Sequence, residues 1–78
     1  MNIRNAIEML QEMLEDSGVP KNVRARLEKT ISLLQQKEEN KIKISRALHE
    51  LEEISNDTNM QADTRTQLFN VVSVLEIV

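Results

Sequence analysis

The sequence is poor in the residues that small proteins use for covalent, metal-based or phosphate-binding chemistry. It has no cysteine, one histidine, one glycine, one proline and one aromatic residue, Phe69. Disulfides and thiol chemistry are therefore excluded. A lone histidine cannot assemble an ordinary zinc site, and a lone glycine cannot form a glycine-rich phosphate loop. We expect no metal, no cofactor, no catalytic residues and no enzymatic activity.

Strong charge of one sign and long apolar runs are also lacking. The formal net charge is −3 at pH 7, which disfavours nonspecific binding to nucleic acids or anionic membranes. The sequence has no apolar run of the length that a transmembrane helix needs. The first ten residues, MNIRNAIEML, contain polar residues every few positions and no signal-peptide core. We therefore expect a cytoplasmic protein without a membrane partner.

The composition that remains is that of a small helical domain. The chain has 78 residues, of which 40% are hydrophobic and 29% charged, and good helix formers dominate it. A chain of this length buries only about 60% of its unfolded surface. Since disulfides and metals are excluded, self-association is the remaining aid to stability, and a homodimer is one hypothesis. We predict a single all-α domain over residues 1–78.

Apolar residues recur at spacings of three and four, which is typical of amphipathic helices. The pattern predicts four helices, near residues 3–17, 21–37, 41–55 and 62–77. Gly18 is expected to end the first helix in the left-handed conformation, and Pro20 to open the second. The valine-rich fourth segment is also compatible with a strand, so the spacing alone does not decide its assignment.

The chain contains an internal repeat with an offset of 41 residues. Aligning residues 6–35 with residues 47–76 without gaps gives eight identical pairs. The pairs are Ala6/Ala47, Leu10/Leu51, Glu12/Glu53, Asp16/Asp57, Arg24/Arg65, Leu27/Leu68, Ser32/Ser73 and Leu34/Leu75. The repeat predicts two similar helical hairpins, near residues 3–37 and 41–77, and a helical fourth segment.

Each hairpin has an aspartate before its corner and an arginine after it. Asp16 and Asp57 lie at the predicted ends of helices, and Arg24 and Arg65 near the starts of the next ones, where the helix dipole disfavours both charges. A tight corner brings each acid to the arginine and to free amides of the next helix. We interpret these four residues as structural corner clamps. In the alternative interpretation an arginine stays available for an acidic partner.

Two stretches, EISNDTNM and TRTQLFNVVSVLE, resemble a family of very short archaeal proteins with no assigned function, and the corner VPKNVR also fits. The resemblance covers nearly the whole chain. It implies an antiparallel up-and-down four-helix bundle and an archaeal cytoplasm, and it transfers no catalytic residues. EDSGVPKNVR is also similar to the turns of HEAT-type repeats. Because solenoids need three or more units, two units are expected to close on each other as a bundle.

The fourth helix is apolar over a wider arc than one core face requires. Phe69, Val74, Ile77 and Val78 are the apparent excess, and we consider them a candidate interaction surface, for example a symmetric dimer patch. In the alternative interpretation this helix is simply the most central one in the bundle.

Protein–protein contact by a non-enzymatic helical module is therefore the favoured function. The alternative is an accessory factor of a ribonucleoprotein such as the ribosome, which would use the basic residues of the second helix (Lys21, Arg24, Arg26 and Lys29). Without aromatic residues besides Phe69 for base stacking, nucleic-acid binding has less support. An enzyme is the third possibility and has the least support.

Overall fold

Four α-helices follow one another along the part of the chain that the structure describes. The computed structural model describes residues 2–57 and 60–76. The helices are α1 (Asn2–Leu14), α2 (Lys21–Gln35), α3 (Asn40–Ser55) and α4 (Ala62–Glu76). The valine-rich last segment is thus helical, as the repeat predicted, because its buried side chains recur every three or four residues. None of the described helices is both long and apolar enough to cross a membrane.

The end of α1 departs most from its predicted position. The helix ends at Leu14 instead of near residue 17. The amides of Glu15 and Asp16 each bond to a carbonyl oxygen three residues back, at 3.1 Å, which tightens the last turn. A further turn follows at once, closed by the amide of Val19 and the carbonyl oxygen of Asp16 at 3.2 Å. The other predicted boundaries lie within two residues of those observed.

Gly18 does not adopt the left-handed conformation predicted for it. Its φ is not positive, and its amide donates to Oδ1 of Asp16 at 2.8 Å. A Cβ at Gly18 would lie 3.2 Å from that oxygen. The glycine therefore provides room for the aspartate side chain to fold back over the turn, a local hydrogen bond that competes with the expected helix cap.

The helices form the antiparallel up-and-down bundle that the sequence predicted. Each helix packs against its neighbours in sequence, and α4 also packs against α1, which closes the ring. The bundle measures 33 × 20 × 20 Å. Helix contacts are most extensive between the two hairpins, where α1 packs against α4 and α2 against α3. Among neighbouring helices, α3 and α4 have the least extensive contact. The second hairpin is therefore the more open of the two.

The two hairpins bury equivalent positions. Among the described residues, both side chains are buried in eight pairs separated by the repeat offset. The pairs are Ala6/Ala47, Leu10/Leu51, Met13/Ile54, Val19/Met60, Val23/Thr64, Leu27/Leu68, Thr30/Val71 and Leu34/Leu75. The core is thus two copies of one burial pattern, packed face to face.

Candidate interaction groove

Arg65 fastens the second corner to the end of the preceding helix. Its Nη1 donates to the carbonyl oxygen of Ser55 at 2.9 Å, and its Nη2 to the carbonyl oxygen of Asp57 at 2.6 Å. The last carbonyl groups of a helix have no partner within it and carry the negative end of its dipole. The guanidinium group therefore caps the C-terminal end of α3 although it belongs to α4.

Arg24 does the same in the first corner, with acceptors at the equivalent positions. It donates from Nη1 to the carbonyl oxygen of Leu14 and from Nη2 to that of Asp16, the latter at 3.1 Å. The carboxylate of Asp16, which we expected to face the arginine, instead accepts from the turn amide of Gly18. In both corners the guanidinium group is engaged with the main chain of the preceding helix.

The two corners lie side by side at one end of the bundle. The side-chain amide of Asn22 donates to Oδ2 of Asp57 at 2.6 Å, which links α2 to the corner between α3 and α4. Gly18 also lies close to Gln61, whose Oε1 would be 3.4 Å from a Cβ at the glycine. Asp57 therefore joins the two hairpins in addition to its place in the corner.

A groove of about 440 Å³ runs between α3 and α4. Buried Leu51 and Leu68 form its floor, and half-buried Leu48 and Val72 line it. Phe69 also lines it and is 69% exposed. The groove is therefore apolar in the middle and bordered by a large aromatic ring that the fold itself leaves in water.

Charged side chains stand at both ends of this groove. Arg65 and Glu52 line it near the second corner, and Glu76 lines it near the opposite end of the bundle. Glu76 also lines an adjoining depression, together with Lys41. The corner end of the groove thus has a base and an acid, and the far end has an acid, with a base in the adjoining depression.

The candidate surface named from the sequence coincides with this groove at one residue. Phe69 lies on the groove and is strongly exposed. Val74 is half-buried and packs against the core. Ile77 and Val78 lie outside the described residues.

Among the other groove residues, the sequence predicted a site role only for Arg65, as a corner residue. Leu48 and Val72 are half-buried and pack against the core. The repeat contained a usable signal, because Ser55 and Val72 are smaller than the equivalent Leu14 and Ile31 of the first hairpin. A place where the second copy has smaller apolar side chains is a place where a depression can open.

The basic residues of α2 are largely paired within the bundle. Arg26 Nη1 lies 3.9 Å and Lys29 Nζ 3.5 Å from the carboxylate of Glu50 on α3. Arg24 is engaged in the first corner, and Lys21 is exposed at the start of the helix. The positive face that the ribonucleoprotein hypothesis requires is therefore partly neutralised by α3.

Comparison with known proteins finds relatives of this chain, and the similarity extends along its whole length. The model of an uncharacterised protein family, UPF0147, matches residues 1–78. A UPF0147 protein of Methanocaldococcus jannaschii is 46% identical over 69 residues, which is 87% of this chain and 74% of the relative. A UPF0147 protein of Pyrococcus furiosus is 41% identical over 76 residues, covering 95% of this chain and 82% of that protein.

A solved structure has the same fold. The crystal structure of MMP1188, described as a protein of unknown function, superposes with a TM-score of 0.92 and is 36% identical in sequence. The match covers 99% of this chain and 89% of the other. The resemblance to short archaeal proteins of unassigned function is thereby confirmed, and the chain belongs to the uncharacterised protein family UPF0147.

Proposed function

We propose that the chain is a small non-enzymatic protein of the cytoplasm that acts through protein–protein contact, and that its contact surface is the groove between α3 and α4. The supporting observation is the exposure of Phe69, the sole aromatic residue, to 69% beside an apolar depression. Fully burying a phenylalanine is worth about 1.5–3 kcal/mol. Because the ring is mostly exposed, most of that free energy is released only when a partner buries the ring.

The groove defines the chemistry of the partner surface. Its apolar middle fits one or two apolar side chains, and its mixed charges at both ends fit a partner that is also mixed in charge. An amphipathic helix in a groove is a common form of such contact. The ribonucleoprotein alternative has less support, because Arg26 and Lys29 share Glu50 and the net charge is negative.

Two aspartate substitutions test the proposal. The tagged chain is used to capture partners from native cell extract, which are identified by mass spectrometry. Phe69→Asp should abolish capture, because it places a charge in the contact. Ile42→Asp is the matched control: Ile42 is 42% exposed and lines a separate depression on α3. If Phe69→Asp retains the partners of the unchanged chain, the groove is not the contact surface.

A second variant tests the contribution of the depression independently of the Phe69 ring. The double change Ser55→Leu with Val72→Ile introduces the side chains of the first hairpin and fills the depression without altering Phe69. We expect it to weaken capture as well, because the partner's side chain loses its site. Unchanged capture by this variant would show that the exposed ring binds without the depression.

A further inference from the structure

Five side chains of α4 line the groove, and the four that are not fully buried form one stripe along it. Arg65, Phe69, Val72 and Glu76 all line it. Their spacing of four, three and four residues places them on one face of the helix. The stripe has a base at its N-terminal end, two apolar side chains in the middle and an acid at its C-terminal end.

The stripe is complementary to itself when it is reversed. The spacing reads the same in both directions, so an antiparallel second copy would place Phe69 against Val72 and Arg65 against Glu76. Both contacts occur twice, once on each side of a two-fold axis that passes between positions 70 and 71. This is the requirement for an isologous interface, in which one patch binds the same patch on a second copy.

We propose that the partner in the groove is a second copy of this chain, bound through antiparallel contact between the two α4 helices. The inference rests on the proposed function, because it names the occupant of the same protein-binding groove. Each Phe69 ring enters the apolar depression of the other copy beside Val72, so one association removes both exposed rings from water.

The charges determine the orientation. In a parallel arrangement Arg65 would face Arg65 and Glu76 would face Glu76, which is repulsive at both ends. In the antiparallel arrangement each end of one groove meets the opposite end of the other. On α3, Glu52 lines the corner end of the groove, and Lys41 lines the depression that adjoins its far end. Reversal therefore also brings each Glu52 toward the end at which the other copy has Lys41.

A second copy explains these features better than an unrelated helix does. An unrelated partner would need only a depression, whereas this surface has both a projecting apolar side chain and the depression to receive one. Patches that combine both are self-complementary. Self-association is also one of the ways in which a small domain without disulfides gains stability.

Sedimentation equilibrium over a wide range of concentrations measures the association directly. The single chain has a mass of 9.0 kDa, and we expect twice that mass for the unchanged protein and for the control Ile42→Asp. Phe69→Asp should weaken association at least about thirtyfold, as expected for the loss of a central contact residue. Circular dichroism of each variant confirms that the helices are retained.

A charge reversal tests the orientation. Glu76→Arg places two positive charges together at each end of the antiparallel pair and should weaken association about threefold to tenfold, with less effect in high salt. Glu28→Arg makes the same change on the first hairpin, at the position equivalent to Phe69, and should leave association unchanged. Equal effects of the two variants would overturn the antiparallel arrangement.

The outcomes separate this inference from the proposed function. A monomer at all concentrations, or a dimer that Phe69→Asp leaves intact, overturns self-association through α4. If that monomer still captures a different protein in a manner that depends on Phe69, the groove remains a contact surface and only the identity of its occupant is wrong. If Phe69→Asp changes neither self-association nor capture, both proposals fail.

Discussion

The two hairpins are alike where they face each other and different where they face outward. Toward the core they bury equivalent side chains at eight positions. At each corner an arginine at the equivalent position donates to two main-chain carbonyl groups, which are also at equivalent positions. Of the nine residues that line the groove of the second hairpin, six differ from their equivalents in the first, among them Ser55, Phe69 and Val72. The repeat thus preserves the residues that form the core and the corners of the bundle, and it varies the residues that face outward.

The groove is the product of these differences. Ser55 replaces the half-buried Leu14, and Val72 replaces Ile31, which is only 8% exposed. Both changes remove apolar atoms from the space between α3 and α4. At a third position Phe69 stands where the first hairpin has an exposed glutamate. The second hairpin therefore contributes less to its own packing and presents more apolar surface to a partner.

Truncating an equivalent core leucine in each hairpin tests whether the second hairpin is the more loosely packed of the two. Leu27 is fully buried, and Leu68 is 2% exposed and lies on the floor of the groove. We expect Leu27→Ala to lower the free energy of unfolding by about 3–4 kcal/mol and Leu68→Ala by about 2–3 kcal/mol. The difference arises because the groove walls can move into the space at Leu68, whereas the space at Leu27 stays empty.

Urea denaturation of both variants measures the two losses on one scale. Both truncations are made in a Phe69→Asp background and measured at a protein concentration at which that background is monomeric. Association then does not contribute to the measured stability. A larger loss for Leu68→Ala than for Leu27→Ala would contradict the view that the second hairpin is the looser of the two.

Replacing the corner arginines should lower the free energy of unfolding less than the leucine truncations do, and again more in the first hairpin than in the second. Arg24 is half-buried, whereas Arg65 is exposed. Hydrogen bonds from a charged donor contribute more when they are shielded from water. We expect Arg24→Ala to cost about 2 kcal/mol and Arg65→Ala about 1 kcal/mol of unfolding free energy in urea.

Lysine at each position is the matched control. It retains the charge near the end of the preceding helix but cannot donate in a planar fork to two carbonyl oxygens. We expect each lysine variant to recover less than half of the loss caused by alanine. Full recovery by lysine would mean that the charge, and not the paired hydrogen bonds, holds the corner.

The sequence predicted much of this fold because the relevant signals were local and repeated. The helices follow from apolar spacing, and the helical state of the valine-rich segment followed from its alignment with residues 21–35. The arginines were singled out as corner residues from their unfavourable places in their own helices. Their acceptors were not, since a guanidinium group can reach a carboxylate or a carbonyl oxygen equally well, and only the geometry of the turn decides between them.

The groove could be predicted only in part. Phe69 stood out as an apolar residue beyond the needs of one core face, but its depression arises from atoms that are missing at Ser55 and Val72. Periodicity treats a valine and an isoleucine alike, so it reports which side faces the core and not how well that side is filled. A residue-by-residue comparison of the two hairpins contains that information.

Thr64 offers the smallest and most specific test of the comparison. Its side chain is buried at 1% exposure, and Oγ1 has no hydrogen-bond partner, while the equivalent position in the first hairpin is Val23. A buried hydroxyl without a partner is destabilising. Thr64→Val should therefore raise the free energy of unfolding by roughly 0.5–1 kcal/mol.

The second buried threonine provides the control for that variant. Thr30 is also buried, but its Oγ1 bonds to the carbonyl oxygen of Arg26 at 2.9 Å. Thr30→Val should therefore give no gain in stability, although it makes the same chemical change at the same depth. If both variants were stabilising to the same extent in urea, the gain would reflect added apolar surface and not the unpaired hydroxyl. A gain at Thr64 alone would show that the second hairpin tolerates a packing defect which the first, with valine in that place, does not contain.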